Sequence, residues 1–162
     1  MKKYVSLGLL LLFGCQQQQV KQPQLVVTNY TEVDLEPFAV MSESSPFYLS
    51  TSDLRRLAIL LNAAVEVYNL NKLERYKQNP SYDPSDVFYK PHMIDLSRYK
   101  KQLVITNNVH GEKIVHISAF TGDYKDWQIN TIAIEDGGEC CFQTSINLDW
   151  NRWEYFQINS EA

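Results

Sequence analysis

The sequence predicts an α+β fold: one long helix packed on a curved antiparallel sheet of four to five strands. Three observations point there. Apolar residues recur at helical spacing only once, from Leu54 to Tyr76. Apolar and polar residues alternate strictly from Cys140 to Asp149. All six prolines lie between Pro23 and Pro91, so the last seventy residues are free of the residue that central strands exclude. With 162 residues, 44% of them hydrophobic, the chain supports one compact core.

The first fourteen residues are set apart. Lys2 and Lys3 precede an apolar run over 7–13. As a helix that run spans about 10 Å, against about 30 Å for a bilayer's hydrocarbon core. It is the length of a signal-peptide core, too short for a membrane span. It closes on Leu12-Phe13-Gly14-Cys15, which resembles the lipobox of bacterial lipoprotein precursors, with Phe13 bulkier than the small residue usual at that place.

The resemblance implies that residues 1–14 are removed and that Cys15 is acylated as the new N-terminus. The domain would then be anchored to a cell-envelope membrane, the outer one in a Gram-negative host, facing the periplasm or the cell surface. An ordinary cleaved secretory signal, without lipid on Cys15, is the alternative. Losing Lys2 and Lys3 from 15 basic residues leaves 13 against 19 acidic ones, a mature charge of −6. Anionic lipid repels such a surface, so the acyl chains would have to hold the protein. The same balance disfavours binding to nucleic acid. Residues 15–24, CQQQQVKQPQ, have no apolar periodicity and read as the lipidated cysteine and a flexible tether, leaving 25–162 as a single domain.

Within it, 25–31 (LVVTNYT) reads as a first strand, and 32–49, with Pro37 and Pro46, as irregular. Ser50 and Asp53 stand at capping-box spacing. Leu54, Leu57, Ala58, Leu61, Val65 and Tyr68 then form a stripe that Asn79-Pro80 ends, giving a helix of about 25 residues. Residues 79–101 hold three prolines and four tyrosine or phenylalanine rings without clear period. Such a segment covers a core edge or forms a binding surface.

The rest reads as a meander. Strands over 102–109 and 113–120 meet at His110-Gly111-Glu112. Strands over 127–136 and 140–149 meet at Asp136-Gly137-Gly138-Glu139, and 153–158 is the last. Cys140, Phe142, Thr144, Ile146 and Leu148 face the core in this reading, and Cys141, Gln143, Ser145, Asn147 and Asp149 face water. Phe120 and Trp127 are expected in the core. The order of elements is similar to the cystatin-like and nuclear-transport-factor-like rolls, a topological resemblance that carries no function. Gly111-Glu112-Lys113-Ile114-Val115, Asp136-Gly137-Gly138, Cys141-Phe142, Ile146-Asn147-Leu148 and the closing Asn159-Ser160-Glu161-Ala162 resemble small bacterial proteins of Bacteroidetes type whose function is unknown.

No motif assigns catalysis. His92, His110 and His116 lack zinc-ligand spacing, so neither a metal nor another cofactor is expected. His116 and Ser118 share a strand face at about 7 Å between Cα atoms, too far for direct activation. Glu135, Asp136 and Glu139, with Asp123 and Asp126 nearby, could serve as paired carboxylates but are also ordinary turn formers. Adjacent Cys140 and Cys141 point to opposite strand faces; in this reading Cys140 is buried and Cys141 is the one able to bridge outward. Trp150 and Trp153 flank the last turn, where exposed indoles anchor a protein partner or stack on a sugar, or else seal the sheet.

The chain therefore reads as a non-catalytic, membrane-anchored binding domain, one concrete form being an inhibitor or toxin-neutralising protein. An envelope assembly or scaffold component is the alternative, and a glycan-acting enzyme the third.

Overall fold

The computed structural model describes residues 35–41, 48–79, 92–134 and 137–159. The expected signal, Cys15, the tether, the strand over 25–31, and Glu135 and Asp136 lie outside them. The fold is α+β, as the sequence predicts: one helix against an open five-stranded sheet.

The helix, α1 (Thr51–Lys77), starts where the capping box places it. The Asp53 N–H donates to Ser50 Oγ (3.1 Å) and the Ser50 N–H to Asp53 Oδ2 (3.1 Å), satisfying two amides that a helix start leaves without partners. Leu57, Ala58, Leu61 and Val65 are buried, and Leu54 and Tyr68 lie against the core.

Strands β1 (Phe38–Val40), β2 (Lys100–Asn107), β3 (Lys113–Phe120), β4 (Cys141–Asn147) and β5 (Arg152–Ile158) follow one another across the sheet in chain order. β1 corrects two expectations. It lies in the segment read as irregular, directly after the cis Glu36–Pro37 peptide, and it runs parallel to β2. The sheet is therefore mixed, with antiparallel pairing from β2 to β5. α1 provides the crossover that a parallel neighbour requires.

Of the strand predicted over 127–136, the described part, 127–134, is not a strand. β3 pairs directly with β4, and 121–140 is the connection between them. The Gln102 side chain explains why. Its Nε2 donates to the Trp127 carbonyl (2.5 Å) and the Asn130 carbonyl (2.7 Å), and its Oε1 accepts the Ile132 N–H (2.9 Å). Backbone groups that a ladder would use are thus taken by one amide. The turn beginning at Asp126, whose φ is +58°, bends the chain further from a strand.

Register separates two faces. Leu103, Ile105, Val115, Ile117, Phe142 and Ile146 lie on the helix side, where Phe142 stacks on Phe156 with centroids 4.8 Å apart. Phe120 is buried as expected but on the other side. There Tyr124 and Trp127 meet it edge-on and roof a small second core. The alternation in 140–149 is also revised: Cys141 and two other positions expected in water, Ser145 and Asn147, are buried. Cys140 sits in a short 3-10 turn (Gly138–Cys140) and is exposed.

At Ser145/Ile146 the register shifts, with Ser145 opposite Tyr155 and Ile146 opposite Trp153. Glu154 is the extra residue of a bulge. The bulge lets Trp153, Phe156 and Ile158 all lie against the core although their spacing is uneven.

Candidate functional site

At one end of the sheet the β2–β3 turn, the β4–β5 turn and the start of α1 come together. Two asparagines build the turns in the same way. Asn108 Oδ1 accepts the N–H of His110 (2.9 Å) and of Glu112 (3.0 Å). Asn147 Oδ1 accepts the N–H of Asp149 (3.1 Å) and of Trp150 (3.0 Å). Such bonds brace a turn from a side chain, in the β2–β3 turn beside the backbone bonds from Asn108 N–H to the Glu112 carbonyl (3.0 Å) and from Gly111 N–H to the Asn108 carbonyl (2.9 Å). The remaining conformational demand falls on Gly111 (φ +79°) and Asn151 (φ +48°), residues suited to the left-handed region.

Both asparagines then spend their amide N–H groups on one carboxylate. Glu112 Oε2 accepts from Asn108 Nδ2 (2.7 Å) and Asn147 Nδ2 (2.9 Å), and Glu112 Oε1 accepts the indole N–H of Trp150. The bonds from Trp150, Asn147 and Asn108 hold the Glu112 carboxyl below the usual carboxylate range. Trp150 is 61% exposed even so, with the Arg152 guanidinium carbon 5.5 Å from its ring centroid. An indole fixed at its edge, stacked on one side and otherwise in water is an exposed aromatic that has already lost its rotamer freedom.

The mount extends into the fold through Lys113. Its N–H donates to Asp149 Oδ2 (2.7 Å), and its ammonium reaches Asp53 Oδ2 (3.0 Å) and the Tyr48 carbonyl (3.4 Å). Burial pushes the Asp53 carboxyl up, but hydrogen bonds from Lys113, the Ser50 backbone, Arg56 and the Ser50 hydroxyl outweigh it and hold it well below its ordinary value. Arg56 also donates to the Leu148 carbonyl (2.9 Å), tying the helix start to the β4–β5 turn. Tyr48 (86% exposed), whose carbonyl meets Lys113, and Val109 (95% exposed), in the β2–β3 turn, belong to the same end. Three of the most exposed large apolar side chains thus stand on the elements that meet at this end.

Other sequence candidates separate. Trp153, paired with Trp150 in the sequence reading, is half-buried against the core and supports the sheet. His116 is exposed, with Nε2 3.1 Å from Thr106 Oγ1. Asp123 pairs with Lys100 (3.0 Å) and Glu139 with Lys72, so these carboxylates are dispersed in separate ion pairs. Cys140 opens into a cavity of about 260 Å³ with His92, Arg98 and Tyr99, whereas Cys141 lines another of about 130 Å³ under residues 132–134. Cys140, not Cys141, is the thiol placed to react outward. Among the described residues no group of three His, Cys, Asp or Glu side chains could hold a metal, and no helix is long and apolar enough to cross a membrane.

The sequence reading passed over Glu112 and Lys101. Lys101 is fully buried and donates to the carbonyls of Leu96 (2.9 Å), Tyr99 (3.0 Å) and Glu36 (3.2 Å). No motif marks either residue, because part of each partner set, Glu36 for Lys101 and Asn147 and Trp150 for Glu112, comes from far along the chain. Comparison with protein-family models, with curated proteins and with solved structures gives no match.

Proposed function

We propose that this chain is a non-catalytic binding domain, held at a cell-envelope membrane by lipid on Cys15, that engages a protein partner through the Trp150 end of its sheet. The observation that carries the reading is the mounting of Trp150. A large exposed aromatic already immobilised by Glu112 and Arg152 binds without the ordering cost that a free side chain incurs. Tyr48 and Val109 add exposed apolar surface at the same end, and Asp149, Arg152 and His110 add polar groups, the mixture of groups that a protein contact uses. The lipobox-like Leu12-Phe13-Gly14-Cys15 supports the anchor, and an inhibitor or neutralising protein is one concrete form of such a domain.

The test is affinity capture of the C-terminally tagged protein from gently solubilised membranes, at low and high salt, beside a Trp150→Ala variant. A single soluble partner, retained by the parent and lost by the variant, is the expected result. Membrane proteins that survive high salt and ignore the substitution would favour the assembly or scaffold role. Labelled palmitate incorporated by the parent and not by Cys15→Ser tests the anchor separately.

A further inference from the structure

Resting on the reading of Trp150 as the partner contact, we infer that the partner is engaged through a basic side chain, an arginine or lysine, laid on the indole face away from Arg152 and beside the carboxylates of Glu112 and Asp149. The indole N–H is already committed to Glu112, so the ring cannot offer a hydrogen bond to a ligand and presents only its π surface. Donation of that N–H to a carboxylate leaves the ring richer in electron density, which favours a cation over the face.

Charge around the ring points the same way. Glu112, Asp149 and Glu154 stand on this end and its adjoining strand, against Arg152 and Lys113. Lys113 is engaged by Asp53, and the Arg152 guanidinium lies 4.0 Å from Glu154. His110 is the other titratable group on the β2–β3 turn, and its backbone N–H is held by Asn108. Arg56, at the same end, pairs with Asp53 (2.5 Å), so each of these three cations has a carboxylate within the fold, whereas Glu112 and Asp149 are met by N–H donors that carry no charge; the whole chain is acidic, at −4. A basic segment is therefore both steered to this end and matched where it lands.

The experiment follows the three indole N–H resonances of the nitrogen-15-labelled protein, assigned with Trp150→Phe. The probe is a short arginine peptide, acetyl-Gly-Arg-Gly-Arg-Gly-amide, compared with its citrulline counterpart and with methyl β-glucopyranoside. The arginine peptide is expected to shift the Trp150 resonance saturably while Trp127 and Trp153 stay in place. The neutral citrulline peptide should bind about fivefold more weakly or less. Raising salt from about 50 to about 500 mM should weaken the arginine peptide alone. Asp149→Asn, which keeps an oxygen for the Lys113 N–H, should weaken it while leaving the melting temperature in place.

Equal shifts from the arginine and citrulline peptides would overturn the inference. So would a response to the glucoside alone, or silence from every probe while Trp150→Ala still loses its captured partner; in these cases the binding role stands. Capture that is unaffected by Trp150→Ala instead removes the proposed function itself.

Discussion

The indole N–H of Trp150 is donated to the carboxylate of Glu112, a residue 38 positions earlier in the chain. That bond joins two hairpin turns and fixes the one tryptophan that projects from the sheet end. Glu112→Gln keeps the shape but replaces a charged acceptor with a neutral amide that must also face two asparagine donors. The expected outcome is an upfield shift of the Trp150 indole N–H resonance, with broadening as the ring regains motion. An unchanged resonance would show that Glu112 does not hold the ring.

Asp53 unites a helix cap with two cations, so its removal should cost more than either function alone. Asp53→Ala loses the N3 half of the capping box, the carboxylate that accepts the Ser50 N–H, while the Ser50 hydroxyl keeps its own bond, and it leaves Lys113 and Arg56 without their shared carboxylate. A total loss of about 2–4 kcal/mol in urea unfolding is expected. The pH dependence follows from the lowered carboxyl. Its stabilisation is complete above the unfolded value near 3.8 and disappears as pH falls below that value toward the folded one. The parent should therefore lose stability below about pH 4 more steeply than Asp53→Asn does.

Lys101 behaves oppositely in pH. Burial pushes its ammonium down from 10.5 to about 8, with the Asp95 carboxylate opposing the shift. The unfolded chain then holds the proton more tightly than the native one between those values. Native stability gains up to about 1.4 kcal/mol per pH unit from this group as pH rises through the window. Lys101→Met abolishes that gain and leaves buried carbonyls without their donor. The variant should be less stable by roughly 2 kcal/mol at pH 7, and the gap should widen by pH 10. Tyr99, Tyr155 and Cys141, all raised by burial, titrate in both proteins and cancel in the difference. A gap that stays constant from pH 7 to 10 would contradict the assignment.

What was legible in the sequence was local. The Ser50–Asp53 box, the stripe from Leu54 to Tyr68 and the strand over 113–120 are each encoded within a few residues, and each forms where expected. The misreadings share one cause, partners supplied from far along the chain. Residues 127–134 alternate well enough for a strand, yet Gln102 takes their backbone groups. Phe38–Val40 is short and follows proline, and becomes a strand because β2 offers it an edge. Trp150 was legible as a candidate from its place at a turn, whereas its mount was not. Trp153 looked equivalent until the bulge at Glu154 placed it against the core.

Gly137 tests the packing between the last 3-10 turn and the roof of the second core. A Cβ there would lie 2.5 Å from Cys141 Sγ, 2.9 Å from Cys141 Cβ and 2.9 Å from Ile134 Cγ2. Gly137→Ala should cost about 1–3 kcal/mol through overpacking. Gly111→Ala meets nothing within 4 Å and bears only the strain of φ +79°, about 1 kcal/mol. The larger loss at Gly137 is the checkable difference by denaturant unfolding.

The two adjacent cysteines should differ sharply in reactivity. Cys140 is exposed at a cavity mouth, while Cys141 is buried and its thiol is pushed up by burial and by its neighbour. The thiolate is the reactive species, so burial and the raised thiol both hold Cys141 back. In the Cys15→Ser protein, a chromogenic disulfide reagent at pH 8 should react in two phases of equal amplitude. Cys140→Ser should remove the fast phase and Cys141→Ser the slow one, which denaturant should accelerate to the rate of an unfolded thiol. Two equally fast phases in the folded protein would mean that residues 132–134 do not cover Cys141.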